Sequence, residues 1–398
     1  MSCVPPRSVL LPDANSPELH LSHPTPNECV EIWTSTSASW GDSLTVPVYL
    51  KESLFLTTVP LAKDGGMTNW VLVDKSLPPD HRPILCSCES FRKRALTSDA
   101  DGNVSSAIIH GVASVFCPPA LRGQGYAPRM MRELAKVLRT WQSEDHRCIG
   151  SILYSDIGKE YYTKLGWRPN LTNSHIEFQP STIRHRFSAQ LIPSQDLAEL
   201  CHRDEVMIRK AMAVPEGGVE TRMTIMPDLD HMLWHMGKEE FACEELFGRV
   251  PQAKGAIAGP PGNQIWAIWA HRYYGHPDEE SPNNTLYILR LVIESKTLWS
   301  SCLSVDDKKL HAEDYHKQVG YLKAVLEAAK AEATEWRLDQ VQLWDPSLTV
   351  RDMIVQSGIE HVLVDRQEDS IASGLWYDAS GGEGKAPHWL NNEYYAWC

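Results

Sequence analysis

The sequence lacks any apolar run of the roughly 18 to 20 residues that a membrane-spanning helix requires. Its first 15 residues hold one arginine, three prolines and no long apolar stretch, which is unlike a secretory signal. These absences argue against both a membrane protein and a secreted one. They predict a cytoplasmic protein with no membrane partner.

Signatures of metal sites and disulfides are missing as well. The chain has 10 cysteines, yet none forms a CxxC pair, and Cys86 and Cys88 stand only two residues apart. His231 and His235 have helical spacing, but no glutamate stands between them as the HExxH zinc motif requires. We therefore expect reduced thiols, histidines that are cationic or at the edge of the core, and no metal ion.

Basic residues are scarce in the second half of the chain. Residues 1–190 carry 19 basic and 18 acidic side chains, whereas residues 191–398 carry 19 basic and 33 acidic ones, for a net charge of −13. Nucleic-acid binding requires basic surface, so the composition argues against it. The acidic surface would suit a cationic substrate, and it would equally serve solubility alone.

The chain is long enough for more than one hydrophobic core. With 398 residues, of which 42% are hydrophobic, it is globular in composition, and two domains are the default expectation. We predict a first domain over 1–192 and a second over 193–398. The alternation of strand and helix patterns predicts an α/β fold, with a mixed central sheet flanked by helices.

The clearest elements of the first half follow one another directly. Residues 104–116 are rich in Val, Ile and small residues and predict the strongest strand. A helix over 125–141 comes next, and Pro128, tolerable only in a first turn, marks its start. A strand over 148–154 and a short helix over 156–165 complete this stretch.

The second half shows a similar order of elements. Its patterns predict helices over 195–212 and 229–247, a turn over 255–262, strands over 264–274 and 285–294, and a helix over 320–336. This order indicates a second α/β lobe, although no sequence identity between the halves supports a duplication. Whether it repeats the fold of the first lobe in degenerate form stays open.

A short glycine-containing loop joins the strongest strand to the clearest helix, and it consists of Arg122, Gly123, Gln124, Gly125, Tyr126 and Ala127. Glycines let the backbone approach an anion closely, and a helix N-terminus favours negative charge. The loop therefore predicts a pyrophosphate site, to which Arg122 adds a forked set of donors. The dinucleotide fingerprint GxGxxG is absent because Pro128 takes its third glycine position, and no P-loop occurs.

These residues resemble the GNAT superfamily of N-acetyltransferases. RGQGYA at 122–127 fits the superfamily's coenzyme A loop, Q/R-x-x-G-x-G/A, and YYTKLGW at 161–167 resembles its FYxKLGF segment. The stretches CPPALRG at 117–123 and ILYSDIGK at 152–159 are similar to fungal lysine N6-acetyltransferases. The motifs cover about residues 110–168, and the second half resembles that family in length and layout.

The resemblance implies direct attack of an amine on the thioester of acetyl-CoA. It implies that a backbone N–H near Val115, Phe116 or Cys117 stabilises the oxyanion and that this strand edge pairs with the pantetheine amides. Tyr162 matches the tyrosine that protonates the leaving thiolate in many relatives, although it would also serve simply by packing on the coenzyme. Tyr161 is expected to face the core.

The general base is not evident from the motifs. His110 and Glu89 lie on the two strands that would flank the substrate, and the C-terminal carboxylate of Cys398 is a further candidate. A lysine substrate also needs its α-carboxylate bound by arginine, for which Arg272 and Arg290 are the candidates from chemistry alone.

The implied function is acetylation of the ε-amine of free L-lysine in lysine degradation. Two alternatives stay open: another small amine, such as a polyamine or an amino sugar, and a regulatory acetyl-CoA sensor without catalysis. The sequence does not determine the oligomeric state.

Overall fold

The computed structural model describes residues 11–181, 188–280, 282–294, 305–378, 380 and 382–397. The helices are α1 (Pro26–Trp40), α2 (Val46–Leu56), α3 (Tyr126–Val137), α4 (Glu160–Thr163), α5 (Leu197–Met212), α6 (Leu229–Phe247), α7 (Val305–Glu335) and α8 (Leu348–Ser357). The strands are β1 (Leu19–Ser22), β2 (Met67–Asp74), β3 (Cys86–Asp99), β4 (Val104–Phe116), β5 (Cys148–Ser155), β6 (Arg168–Pro169), β7 (Ser174–Phe178), β8 (Gln190–Pro193), β9 (Thr221–Ile225), β10 (Ala253–Ala258), β11 (Ile265–Arg272), β12 (Thr285–Ile293), β13 (Gln340–Trp344), β14 (Val362–Asp365), β15 (Ile371–Trp376) and β16 (His388–Leu390).

These elements form two mixed sheets, which confirms the predicted α/β fold with a second α/β lobe. The first sheet has the strand order β1-β2-β3-β4-β5-β15-β6, and β9 pairs with the far end of β3 and with β16. The second has the order β14-β7-β13-β12-β11-β10-β8. Within the described ranges, no helix is both long and apolar enough to span a bilayer.

The two sheets exchange strands across the middle of the chain. β7, from the first half, pairs with β13 and β14 in the second sheet. β15, from the second half, lies between β5 and β6 in the first sheet. The boundary predicted between 192 and 193 falls within β8, and the division into 1–192 and 193–398 stays a proposal.

The strand β4 is buried on both faces from Ala107 to Ala113, whereas the helix α3 has one buried face. Met130, Met131, Leu134 and Leu138 of α3 and its C-terminal cap are fully buried against the first sheet. Burying such a side chain contributes roughly 1.5–3 kcal/mol, so this stripe holds the helix against the first sheet. The helix ends at Val137, a few residues before the predicted end.

The turn predicted over 255–262 begins later than predicted, because residues 255–258 belong to a strand. The strand β10 occupies Ala253–Ala258 and pairs on both sides, with β8 and with β11. Gly255 is there for close packing and not for a turn, because a Cβ at this position would lie 2.1 Å from the carbonyl oxygen of Ala267. The turn itself comes later, with Gly259 and Gly262 at positive φ.

The helix predicted over 156–165 is also wrong in extent, and only Glu160–Thr163 is helical. The strand β5 continues to Ser155, and Asp156 then accepts a hydrogen bond from the backbone N–H of Ser370 at 2.9 Å. Gly158 has φ +74°, outside the helical region, so the helix cannot begin before it. Conversely, α7 begins at Val305 and is longer than predicted.

A buried charge cluster joins α6 to the second sheet. Glu239 of α6 accepts a hydrogen bond from the Nζ of Lys254 at 2.6 Å and another from the backbone N–H of His271 at 2.8 Å. Its carboxylate also contacts Nδ1 of His271, and all three residues are buried. Burial alone would lower the pKa of His271, but the Glu239 carboxylate outweighs it, so the net shift is upward.

Replacing Glu239 by glutamine should lower the free energy of unfolding by about 3–5 kcal/mol, because Lys254 and His271 lose their shared carboxylate. Since the pKa of His271 is raised, its contribution is complete below the unfolded value of about 6.5 and is lost as the pH rises through the folded value. Denaturant unfolding at several pH values should therefore show that the difference in unfolding free energy between wild type and variant shrinks as the pH rises.

The matched control is Glu240→Gln. Glu240 pairs with the same lysine at 2.9 Å, but its side chain is 46% exposed. The Glu240→Gln variant should lower the free energy of unfolding by less than about 1 kcal/mol. Equal losses for the two variants would contradict a role specific to the buried carboxylate.

Candidate active site

A cavity of about 420 Å³ lies where β4 and β5 move apart. The parallel pairing of these strands runs from Ile108↔Cys148 to Val112↔Leu153 and goes no further among the described pairs. β4 nevertheless continues to Phe116 and β5 to Ser155. The backbone of β4 beyond Val112 therefore borders a gap that is wide enough to admit a ligand.

A bulge in β4 explains why the strands separate. Ser87 pairs with Phe116 and Glu89 with Ala113, so β4 has one residue more than β3 over this stretch. Ser114 lies in the bulge with φ +53°, a left-handed value that is uncommon for serine. A bulge bends its strand and increases the local twist, which carries the end of β4 away from β5.

The loop that follows β4 has the backbone shape expected of an anion site. Gly123 and Gly125 have φ of +77° and +88°, and α3 begins at Tyr126 with no side-chain cap among the described hydrogen bonds. A Cβ added at Gly123 would meet no atom within 4 Å. The first N–H groups of α3 are thus available to a negatively charged ligand.

The side chains of this loop play different parts. Arg122 is exposed, and its Nε donates to the carbonyl oxygen of Cys117 at 3.1 Å. Gln124 is exposed and donates to Ala120 at 3.2 Å. Tyr126, by contrast, is buried and its hydroxyl donates to the carbonyl oxygen of Pro12 at 2.7 Å, so only its backbone faces the loop. Ala127 is partly buried against the core.

Cys117 lies at the junction of β4 and the loop, outside the residues that line the cavity. A hydrogen bond with the thiol of Cys86 and the positive charge of Arg122 lower the pKa of Cys117 to about 7. Cys86 is buried, and its thiol donates to the carbonyl oxygen of Phe116 at 2.9 Å. The described cysteines are free thiols, as expected.

Tyr162 and Val115 both line the cavity. Tyr162 follows β5 on α4, and only 9% of its surface is exposed. Burial raises the pKa of its phenol, so the hydroxyl keeps its proton at neutral pH and can donate it. Tyr161 packs at right angles to it, 5.0 Å between ring centroids, and is only half-buried.

Glu89 lines the same cavity from β3. The hydroxyl of Ser114, within the bulge, donates to its Oε2 at 2.9 Å. Burial raises the pKa of the Glu89 carboxyl, against the opposing effects of the Ser114 hydroxyl and the nearby Lys238. A carboxylate whose pKa is raised in this way is suited to accept a proton from an amine.

His110 is not brought to the cavity. It is fully buried on β4, its Nδ1 lies 3.5 Å from the thiol of Cys148, and it is absent from the described cavity lining. Burial lowers its pKa to about 4, so the imidazole is neutral at physiological pH. The cavity-lining stretch of β4 begins at Val112, after His110, and the sequence could not show where along the strand the cavity opens.

Further charged residues line the cavity, and of these only Arg272 was a candidate from the sequence. Lys238 of α6 pairs with Glu52 of α2 at 3.1 Å. Arg272, at the end of β11, pairs with Asp42 at 2.7 Å, and Asp156 lies beside Tyr162 after β5. The lining has more carboxylates than cations, which favours a cationic ligand. Its remaining walls are largely aromatic, with Trp33, Trp40, Tyr49, Trp234 and Trp397.

Arg290 and the two spaced histidines have structural roles. Arg290 is buried and forms a two-pronged ion pair with Asp204, and its Nη1 also contacts Glu393. Nδ1 of His231 lies 2.7 Å from Asp228, and Nε2 of His235 lies 3.2 Å from the carbonyl oxygen of Tyr395.

No group of three metal-ligating side chains occurs among the residues that the structure describes. Cys398, a candidate base, lies outside the described residues.

Comparison with known proteins finds a family and distant relatives for this chain. Residues 175–398 match the family model of the LYC1 GNAT-like C-terminal domain. A lysine acetyltransferase from Yarrowia lipolytica is 22% identical over 63% of this chain and 71% of its own. An uncharacterized protein from Saccharomyces cerevisiae is 20% identical over 80% of this chain and 82% of its own.

Among solved structures, a GCN5-related N-acetyltransferase from Kribbella flavida aligns with 91% of this chain and 71% of its own, with a TM-score of 0.48 and 14% identity.

The family match identifies an acetyltransferase of the GNAT type. Within that class, the chain belongs to the family with the LYC1 GNAT-like C-terminal domain, whose match covers residues 175–398 and so more than half of the chain. The match begins at His175 in β7, the strand that crosses from the first half into the second sheet. Enzymes of the GNAT type use acetyl-CoA as co-substrate.

Gly123→Ala should weaken acetyl-CoA binding about tenfold, which is about 1.4 kcal/mol, because its Cβ would enter the open space above the loop amides. The control is Gly248→Ala, at the end of α6, which also has positive φ (+62°) and open space around its Cβ. Both variants should lose roughly 1–2 kcal/mol of stability from backbone strain. Titration calorimetry should show weaker acetyl-CoA binding in Gly123→Ala alone, and an unchanged Kd there would contradict a coenzyme role for the loop.

Proposed function

We propose that this protein transfers the acetyl group of acetyl-CoA to the ε-amine of free L-lysine. The observation that carries the proposal is that Glu89 and Tyr162 line one cavity, at the point where β4 and β5 separate. A carboxylate with a raised pKa and a protonated phenol are the two proton carriers that aminolysis of a thioester needs.

The coenzyme would lie along the loop and the gap. Gly123, Gln124, Gly125 and the first turn of α3 would hold the pyrophosphate through backbone N–H groups, with Arg122 adding charge from its exposed side chain. The pantetheine arm would extend between β4 and β5 and pair with the backbone around Val115, Phe116 and Cys117. The cavity lies at the inner end of this path, so the acetyl group would reach it.

The chemistry then follows from the two side chains. The substrate ammonium first loses a proton to solvent, the neutral amine attacks the acetyl carbonyl carbon, and Glu89 accepts the second proton from the nitrogen as the C–N bond forms. A backbone N–H of the bulged stretch of β4 stabilises the oxyanion. As the C–S bond breaks, Tyr162 donates its proton to the departing sulfur, and solvent restores both groups to their starting states.

The cavity's charges support an amine that carries more than one positive charge. Glu52, Glu89 and Asp156 are its carboxylates, against the cations Lys238 and Arg272. Free lysine carries two ammonium groups and one carboxylate, and it fits this mixture of signs. A polyamine is a second candidate because the carboxylates outnumber the cations. The relative named as a lysine acetyltransferase favours lysine.

Release of coenzyme A thiol should be fastest with L-lysine when the protein is given acetyl-CoA with lysine, polyamines or amino sugars, and mass spectrometry should find the new acetyl group on the ε-nitrogen. Turnover of a polyamine but not of lysine would reject the substrate and keep the reaction. Acetyl-CoA binding without turnover of any amine would favour a sensor and reject the reaction as well.

Glu89→Gln should lower kcat on the order of a hundredfold and change the pH profile. Below the lysine amine pKa of about 10.4, the fraction of neutral amine grows as the pH rises, so log kcat/KM rises with a slope of one. At low pH the ionised fraction of Glu89 grows as well, which adds a second unit of slope. Burial raises the pKa of Glu89, so the slope of log kcat/KM should change from two to one at a pH above the usual glutamate pKa of about 4.5. The variant should keep a slope of one throughout.

Tyr162→Phe tests the proton donor separately from the proton acceptor Glu89. It should reduce kcat while keeping the Glu89 inflection, because Glu89 remains in place. Tyr161→Phe, its half-buried neighbour, should leave kcat within about twofold of wild type. A Glu89→Gln profile that still changes from a slope of two to one would reject Glu89 as the base.

A further inference from the structure

The carboxylate end of the substrate is a separate recognition problem from the reacting amine. A free amino acid brings a negative charge into a cavity whose lining carries three carboxylates, Glu52, Glu89 and Asp156. An unpaired carboxylate among them would be repelled and desolvated at a high free-energy cost. Recognition of lysine over a simple diamine therefore requires a cation that is aimed into the cavity with donors to spare.

Arg272 meets this requirement among the residues that line the cavity. It ends β11, its side chain is 12% exposed, and Nη2 pairs with Asp42 at 2.7 Å. Its Nε is buried and has no hydrogen-bond partner among the described residues. A guanidinium has five N–H donors, so one carboxylate partner leaves several of them unused.

The surroundings of Arg272 fix the direction of its side chain. The guanidinium carbon lies 5.2 Å from the ring centroid of Tyr274 and 5.4 Å from that of Trp397. Asp42 lies between α1 and α2, and the backbone N–H of its neighbour Ser43 donates to the carbonyl oxygen of Tyr273 at 3.2 Å. The loop that carries Asp42 is therefore attached to the same end of β11, which holds the ion pair in register.

The other cations are less suitable. Lys238 is close to Glu52 at 3.1 Å and to Asp42 at 3.9 Å, so its charge is shared between two carboxylates. An ammonium also lacks the planar fork that matches a carboxylate. Arg290 lies outside the described cavity lining, and its donors are taken by Asp204, Asn391 and Glu393.

We propose that Arg272 binds the α-carboxylate of the substrate amino acid and that Asp42 positions it from behind. The inference rests on the proposed function, since it assumes that the cavity holds the amine acceptor. Arg272 lies in the second sheet, whereas Glu89 and Tyr162 lie in and beside the first. The site would then require both: the first sheet for the reaction and the second for substrate selection.

The test compares L-lysine with cadaverine, which is lysine without its carboxylate, and with lysinamide, in which the carboxylate is neutral. Wild type should have the highest kcat/KM for lysine. Arg272→Gln should lower kcat/KM for lysine roughly 10- to 100-fold, mainly through KM, because a charge-assisted hydrogen-bonded pair is lost. The same variant should leave kcat/KM for cadaverine within about twofold of wild type, because cadaverine has no carboxylate to pair with Arg272.

Two further variants serve as controls. Arg249→Gln removes an exposed arginine that pairs with Glu335, away from the cavity, and should change neither substrate. Asp42→Asn should raise KM for lysine less than Arg272→Gln does, with no change for cadaverine. Unchanged acetyl-CoA affinity in every variant would show that the coenzyme site is intact.

The outcomes separate the inference from the function on which it rests. Equal losses for lysine and cadaverine in Arg272→Gln would overturn the carboxylate role while acetylation of lysine stands. Failure of wild type to acetylate lysine, with turnover of another amine, would overturn the substrate itself. If Arg272→Gln does not fold, the wild-type comparison decides, because equal kcat/KM values for lysine and lysinamide would overturn the proposal.

Discussion

Where β4 carries its bulge at Ser114, it cannot stay paired with β5, and the two strands separate beyond Val112 and Leu153. Each element of the proposed site depends on this separation. It leaves backbone groups of β4 without a strand partner, it creates the cavity, and it brings the Ser114 hydroxyl within 2.9 Å of the Glu89 carboxylate. A left-handed serine is a strained choice, and strain of this kind is retained where the surrounding structure requires it. Here the bulge converts a sheet edge into a binding site.

The second half of the chain does more than cover that site. β15 pairs with β5 on the side away from β4, so the strand that precedes Tyr162 and its helix α4 is fixed by residues more than 200 positions later in the sequence. Lys238, Arg272 and Trp397 of the second half also line the cavity. Because β7 crosses in the other direction, neither sheet is complete without strands from both halves. The exchange couples the coenzyme side of the cavity to the side that would select the substrate.

Local patterns were enough to predict much of the fold. The strand over 104–116, the loop at 122–127 and the helix after it depend on side-chain periodicity and on glycine conformation, which are properties of neighbouring residues. The exchange of β7 and β15 could not be predicted, since strand partners far apart in sequence leave no local trace. The candidate site shows the same limit: His110 and Glu89 were equivalent as residues on adjacent strands, and only the bulge decides which one borders the cavity. Arg272 and Arg290 were likewise equal until their ion pairs were known.

The central claim is that the opening between β4 and β5 holds the reacting end of acetyl-CoA. A crystal structure of the protein with coenzyme A and L-lysine would test it most directly. The account predicts the pantetheine arm between the two strands, its sulfur within hydrogen-bond reach of the Tyr162 hydroxyl, about 3.5 Å, and the lysine ε-nitrogen beside Glu89. Coenzyme bound away from the loop at 122–127, or lysine bound with its ε-nitrogen outside the cavity, would contradict it.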